Sequence, residues 1–172
     1  EYVNTKYGYS LKYPSGFVIR SIPDDYPSKD IQEEDAIQVY SFEHNMDGLF
    51  VYKAPDQYNG TVDLKKMGLA EYAETVRKIQ IDDPSPYREQ KVWGRLEKRT
   101  LPYTTAYRFE LKDGFAYPGG WKEISIPNNE SSYIYVLENK KGEKFVVADL
   151  KASKPADSVL KSIEFASNTS SN

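Results

Sequence analysis

The sequence predicts an α+β fold, with a mainly antiparallel central sheet covered by helices, on three observations. Short apolar alternations recur in pairs joined by turn residues, the mark of hairpin-connected strands. One stretch, from about Asp63 to Gln80, switches to helical spacing, and a shorter one follows near the C-terminus. Paired strands with so few helices between them favour an antiparallel sheet over a doubly wound parallel one.

The first strands lie in the opening run. Tyr9, Leu11 and Tyr13 alternate with Ser10 and Lys12, as a half-buried strand requires. Pro14-Ser15-Gly16 supplies turn chemistry, and Phe17 to Arg20 resumes an extended apolar run. Residues 23 to 35 are polar and read as a surface loop. Ala36 to Phe42 and Leu49 to Tyr52 then form a predicted hairpin around Asp47-Gly48. Residues 54 to 61, with Pro55, Asn59 and Gly60, read as another loop.

The helix from about Asp63 carries Leu69, Tyr72, Ala73, Val76 and Ile79 on one face, with Glu71, Glu74, Arg77 and Lys78 on the wet side. Asp63 is its expected N-cap, although Gly68 weakens the first turn, so the firm helix is expected to start there. Asp82-Asp83-Pro84-Ser85-Pro86 ends it. Val92 to Leu101 and Thr104 to Leu111 follow as strands around Pro102-Tyr103. Tyr133 to Leu137 and Lys144 to Leu150 flank Asn139-Lys140-Lys141-Gly142, a hairpin signal with glycine at a left-handed position. Ser153 to Ile163 reads as a short helix with Val159, Leu160 and Ile163 facing inward, and Glu164-Phe165 as an edge strand.

Composition limits the function classes. A chain of 172 residues suits one domain, predicted at residues 1–165 with a polar tail at 166–172. Such a chain buries about 70 % of the surface its unfolded form exposes. Aromatics make up 14 % and tyrosine alone 15 residues, which suits half-exposed sheet surfaces. The formal charge is −3 with both signs mixed along the chain, so no global field draws the protein to nucleic acid. Cysteine is absent, which removes disulfides, thiolate metal sites and cysteine nucleophiles. No stretch approaches the roughly 20 apolar residues of a membrane-spanning helix. The first residue is Glu1 rather than Met, from which we expect a segment removed upstream, by processing or by truncation; a signal peptide or membrane anchor there would leave no trace in this sequence.

Two terminal motifs carry a resemblance. Asn4-Thr5-Lys6-Tyr7-Gly8-Tyr9-Ser10-Leu11-Lys12-Tyr13-Pro14-Ser15-Gly16-Phe17 is similar to the Tyr-Gly-(Tyr/Phe)-Ser-(Ile/Leu)-x-Tyr-Pro opening of the PsbP-like family. Ala156 to Phe165 resembles that family's terminal helix followed by a Ser-(Ile/Phe)-x-Phe strand. The likeness is architectural across most of the chain and sharp at its two ends. It implies an α/β/α sandwich used as a non-enzymatic binding or assembly module, of the kind found in exported, often lipid-anchored, bacterial proteins. No photosystem-specific docking segment matches, so a role in oxygen evolution does not carry over. Fold shared across functions is in any case weak evidence about one of them.

The candidate sites are few. His44, the sole histidine, sits in a predicted loop and favours solvation over acid–base or zinc chemistry, since zinc needs several ligands. The acidic clusters Asp24-Asp25, Glu33-Glu34-Asp35 and Asp82-Asp83 lack an EF-hand pattern and read as solvated charge. Gly-rich phosphate loops and Gly-x-Ser-x-Gly motifs are absent, and the chain implies no cofactor. Three Asn-x-Ser/Thr triplets, at Asn59, Asn129 and Asn168, matter only in a eukaryotic secretory protein. The richest stretch is Gly114 to Trp121, where Phe115, Tyr117 and Trp121 either bind a partner or tuck against a sheet edge. The expectation is a non-catalytic, extracytoplasmic domain, tethered near a membrane, that binds a protein partner or small ligand. The alternatives are a hydrolase-like enzyme whose carboxylates meet from distant loops, and a carbohydrate-binding module using the 114–121 loop.

Overall fold

The computed structural model describes residues 1–21, 36–41, 48–54, 56–58, 62–82, 91–112, 132–149 and 154–166. Strands and two helices run in the order β1 (Tyr2–Asn4), β2 (Tyr9–Leu11), β3 (Phe17–Ser21), β4 (Ala36–Ser41), β5 (Gly48–Lys53), β6 (Gln57–Tyr58), β7 (Val62–Asp63), α1 (Leu69–Asp82), β8 (Lys91–Thr100), β9 (Thr105–Lys112), β10 (Ser132–Glu138), β11 (Lys144–Asp149), α2 (Lys154–Lys161) and β12 (Glu164–Phe165). The main sheet has the order β3-β4-β5-β11-β10-β9-β8, and every neighbouring pair in it is antiparallel. A three-stranded sheet, β1-β2-β12, and the short ribbon β6-β7 accompany it.

The hairpins follow from local chemistry. Asn139 closes the β10–β11 turn: its Oδ1 accepts from the backbone N–H groups of Lys141 and Glu143, each at 2.9 Å. Gly142 takes φ +80°, a left-handed conformation that costs a residue without Cβ nothing. Gly48 faces a different demand, because a Cβ there would sit 2.1 Å from the Val39 carbonyl oxygen. Only glycine lets β5 approach β4 at that point.

Strand alternation sorts the core onto two faces. Val146 and Ala148 of β11 join Ile134, Val136 and Phe109 on one face, under Tyr72, Ala73 and Val76 of α1. Phe145 and Val147 point the other way, joining Leu137, Val39 and Val51 under Ala156, Val159 and Leu160 of α2 and under Tyr9, Leu11 and Phe165 of the small sheet. With both faces covered, β11 is buried at all six positions.

The expected α/β/α sandwich, with helices covering the sheet, is therefore corrected to a β-dominated fold: among the described residues, a seven-stranded sheet, a three-stranded sheet and a two-stranded ribbon with two short helices. The geometry explains it. Seven strands at about 4.8 Å spacing span roughly 29 Å, whereas one helix is about 10 Å wide, so a single helix per face leaves strands uncovered. On the α2 face the gap is closed by sheet, since β1-β2-β12 shares the core there with α2. The opening run divides accordingly: Tyr9 to Leu11 enters the small sheet, and only Phe17 onward begins the main one.

Three smaller corrections accompany this. β1 was not expected, and neither was the β6-β7 ribbon, whose first strand lies inside the region read as a loop. Asp63 does not cap α1; its Oδ1 accepts from the Lys65 N–H, and the first helical bond runs from the Tyr72 N–H to the Gly68 carbonyl. The helix starts where Gly68 was expected to set its firm beginning.

The two terminal motifs meet in space. Glu164 and Phe165 pair with Ser10 and Tyr9, and the Ser162 hydroxyl accepts from the Lys12 N–H at 2.8 Å and donates to the Lys12 carbonyl at 2.9 Å. Burial raises the Tyr9 phenol pKa well above its ordinary 10.0, helped by Tyr2, and burial with Asp56 does the same to Tyr72. Above the ordinary value the unfolded chain has lost protons that the folded chain keeps, so stability falls as pH rises from there and is fully present below it. We expect alkaline unfolding monitored by circular dichroism to show this loss beginning near about pH 10. The Tyr9→Phe/Tyr72→Phe variant should flatten that limb; an unchanged alkaline slope would refute the assignment.

Candidate functional site

A cleft of about 420 Å³ opens where three segments converge at one end of the main sheet. Lys53 and Asp56 come from the end of β5, Lys65 to Gly68 from the approach to α1, and Glu138 to Lys144 from the β10–β11 turn. Its size falls within the range of small-ligand clefts, but its lining is charged where most such clefts are apolar.

Lys144 holds the floor. It is 5 % exposed, and its Nζ donates to the carbonyls of Gly142 at 3.2 Å and Lys65 at 3.3 Å while pairing with Glu138 Oε1 at 3.3 Å. The ammonium also lies 5.7 Å above the Tyr72 ring centroid. One cation thereby ties the hairpin turn to the chain entering α1, 79 residues apart in sequence. Lys53 repeats the pattern at the wall, donating to the Ala54 carbonyl at 2.8 Å and to Asp56 Oδ1 at 3.0 Å.

The carboxylates of the cleft are all engaged from within. Glu138 faces Lys144, Asp56 faces Lys53, and Glu143 accepts from Asn139 Nδ2 at 2.6 Å. The rim cations are not. Lys65 and Lys141 are exposed and form no ion pair among the described residues, and Lys66 reaches Asp63 only at 3.8 Å while 89 % exposed. Among the described residues the lining sets five lysines against three carboxylates, so the cleft presents net positive charge to solvent, and the positive end of the α1 dipole adds to it at Gly68. Its described lining holds lysine, aspartate, glutamate, methionine and glycine, so among the described residues it offers cationic donors and no hydroxyl, thiol or imidazole group.

None of the described residues that line this cleft was singled out as a candidate site from the sequence. Phe115, Tyr117 and Trp121, His44, and the clusters at Asp24-Asp25 and Glu33-Glu34-Asp35 lie outside the described residues. Asp82 closes α1, but Asp83 lies outside as well. Among the described residues no group of three or more His, Cys, Asp or Glu is placed to hold a metal ion, and no helix is long and apolar enough to cross a membrane. Sequence alone assigns the lining residues no functional role: Asp56 falls in a loop, Lys65 to Gly68 in the helix, Lys141 and Gly142 in a turn and Lys144 at a strand start. The available signal was two Lys-Lys pairs, Lys65-Lys66 and Lys140-Lys141, each beside a turn, and nothing local says that they converge. No family model matches the chain, and no curated protein sequence matches it.

Proposed function

We propose that this chain is a non-catalytic binding domain that captures a compact anionic group through the Lys65–Lys141 cleft. The group is a phosphate, a sulfate or clustered carboxylates carried by a small ligand or a protein partner. The observation that carries the reading is the charge imbalance: five lysines line the cleft against three carboxylates, each of those is engaged internally, and Lys65 and Lys141 are exposed without an ion pair among the described residues. A lining of ammonium groups with no hydroxyl, thiol or imidazole among the described residues supports capture more than turnover. Membership of the PsbP-like family, and a place outside the cytoplasm near a membrane, rest on the resemblance of the two terminal motifs and are part of the same proposal.

Titration with pyrophosphate, followed by calorimetry, tests it. The wild-type chain should bind saturably, and affinity should fall steeply with added salt because the rim charges are solvent-exposed. Lys65→Glu/Lys141→Glu should weaken binding by about tenfold or more without a change in the unfolding midpoint beyond surface-substitution effects. Equal affinity in the two proteins would rule the cleft out.

A further inference from the structure

We propose that the outer edge of β8 is a docking strand for an extended acidic segment of a partner protein, which adds to the main sheet beside it. None of the residues concerned lines the cleft, so this surface stands independently of the anion-binding reading. β8 ends the sheet order, and among the described residues no strand pairs with its outer side. Among the described residues it is also the longest strand, at ten residues.

The register fixes which backbone groups face outward. The Leu101 N–H donates to the Thr104 carbonyl at 2.8 Å, and antiparallel pairs alternate between bonded and non-bonded. Arg99↔Ala106 and Glu97↔Arg108 are therefore bonded pairs, whereas Lys98↔Tyr107 and Thr100↔Thr105 are not. The N–H and C=O groups of Lys98 and Thr100 consequently point away from β9, towards an incoming strand.

Charge selects the partner. Arg95, Glu97, Lys98, Arg99 and Thr100 are all exposed. Glu97 is shared by Arg99 at 2.8 Å and Arg108 at 3.0 Å, while Arg95 and Lys98 form no ion pair among the described residues. Lysine on an edge strand ordinarily disfavours edge-to-edge pairing, and over residues 95–100 β8 sets three exposed cations, Arg95, Lys98 and Arg99, against one exposed carboxylate, Glu97. The same cations favour an acidic strand, whose alternate side chains reach Lys98 on one face and Arg99 on the other.

The test uses a fluorescein-labelled peptide of alternating glutamate and valine with the intact chain. Saturable binding is expected, with amide exchange slowed at Lys98 and Thr100. Arg95→Glu/Lys98→Glu should weaken binding by about tenfold. Lys98→Pro removes the outward N–H without touching a β9 bond, a substitution edge strands tolerate, and should weaken binding more than Lys98→Gln, which keeps that N–H. Absence of saturable binding would overturn the proposal. So would equal affinity for Arg95→Glu/Lys98→Glu, or protection at Lys65 and Gly142 instead of Lys98 and Thr100.

Discussion

Phe145→Ala is expected to cost about 3–5 kcal/mol of stability, the range for truncating a buried aromatic. Phe145 is 1 % exposed and projects from β11, the strand buried at every position. Its ring packs edge-on against Tyr7 and Tyr9, with centroids at 5.6 Å in both cases, and lies tilted against Phe165 with centroids at 5.2 Å. Truncation would therefore empty the contact between the main sheet and β1-β2-β12. Edge and offset contacts of this kind add about 0.5–1.5 kcal/mol each beyond area burial. Domains of this size have only about 5–15 kcal/mol in total, so the variant should be near the limit of folding. Urea unfolding should show a lower midpoint with an unchanged slope. A loss below about 1 kcal/mol would mean that the small sheet does not seat on Phe145.

Lys144→Ala is expected to cost about 2–4 kcal/mol, from lost stem packing and two carbonyls left without their donor. The loss of the Glu138 pairing contributes the smaller part. Glu138 is 32 % exposed and can rehydrate, so the penalty of a stranded buried charge does not apply in full. Lys144→Met keeps the stem over Tyr72 and loses only the ammonium, so it should recover roughly half of the difference. Both variants should also loosen the β10–β11 turn against the chain entering α1. Faster amide exchange at Lys141 and Gly142 would report this. If alanine and methionine were equally harmful, the ammonium would be the whole of the effect and the stem would contribute nothing.

Much of the secondary structure was legible because it rests on period and turn chemistry. Tyr72, Ala73 and Val76 lie on the buried face that helical spacing assigned to them. The pairs Ala36–Ser41 with Gly48–Lys53, and Ser132–Glu138 with Lys144–Asp149, form the hairpins that their turns signalled. What the periodicities do not carry is how layers share a face. Val159 and Leu160 say that α2 faces inward, but not that Tyr9 and Phe165 occupy the same core beside it. That is why helices were expected to cover what a small sheet covers. β1 escaped notice because three residues, Tyr2 to Asn4, are too few to show a period. The cleft was illegible for a related reason: Lys65 and Lys144 are 79 residues apart, and only the folded sheet end brings their segments together. The aromatic stretch at Phe115, Tyr117 and Trp121 was the most conspicuous binding signal, and it lies outside the described residues.

The choice between that stretch and the cleft can be made by amide chemical-shift mapping during a pyrophosphate titration. Shifts should concentrate at Lys65, Lys66, Gly68, Lys141 and Gly142, saturate together, and vanish in Lys65→Glu/Lys141→Glu. Shifts centred on Phe115 to Trp121, or an absence of saturable shifts at Lys65 and Lys141, would contradict the assignment of binding to the cleft.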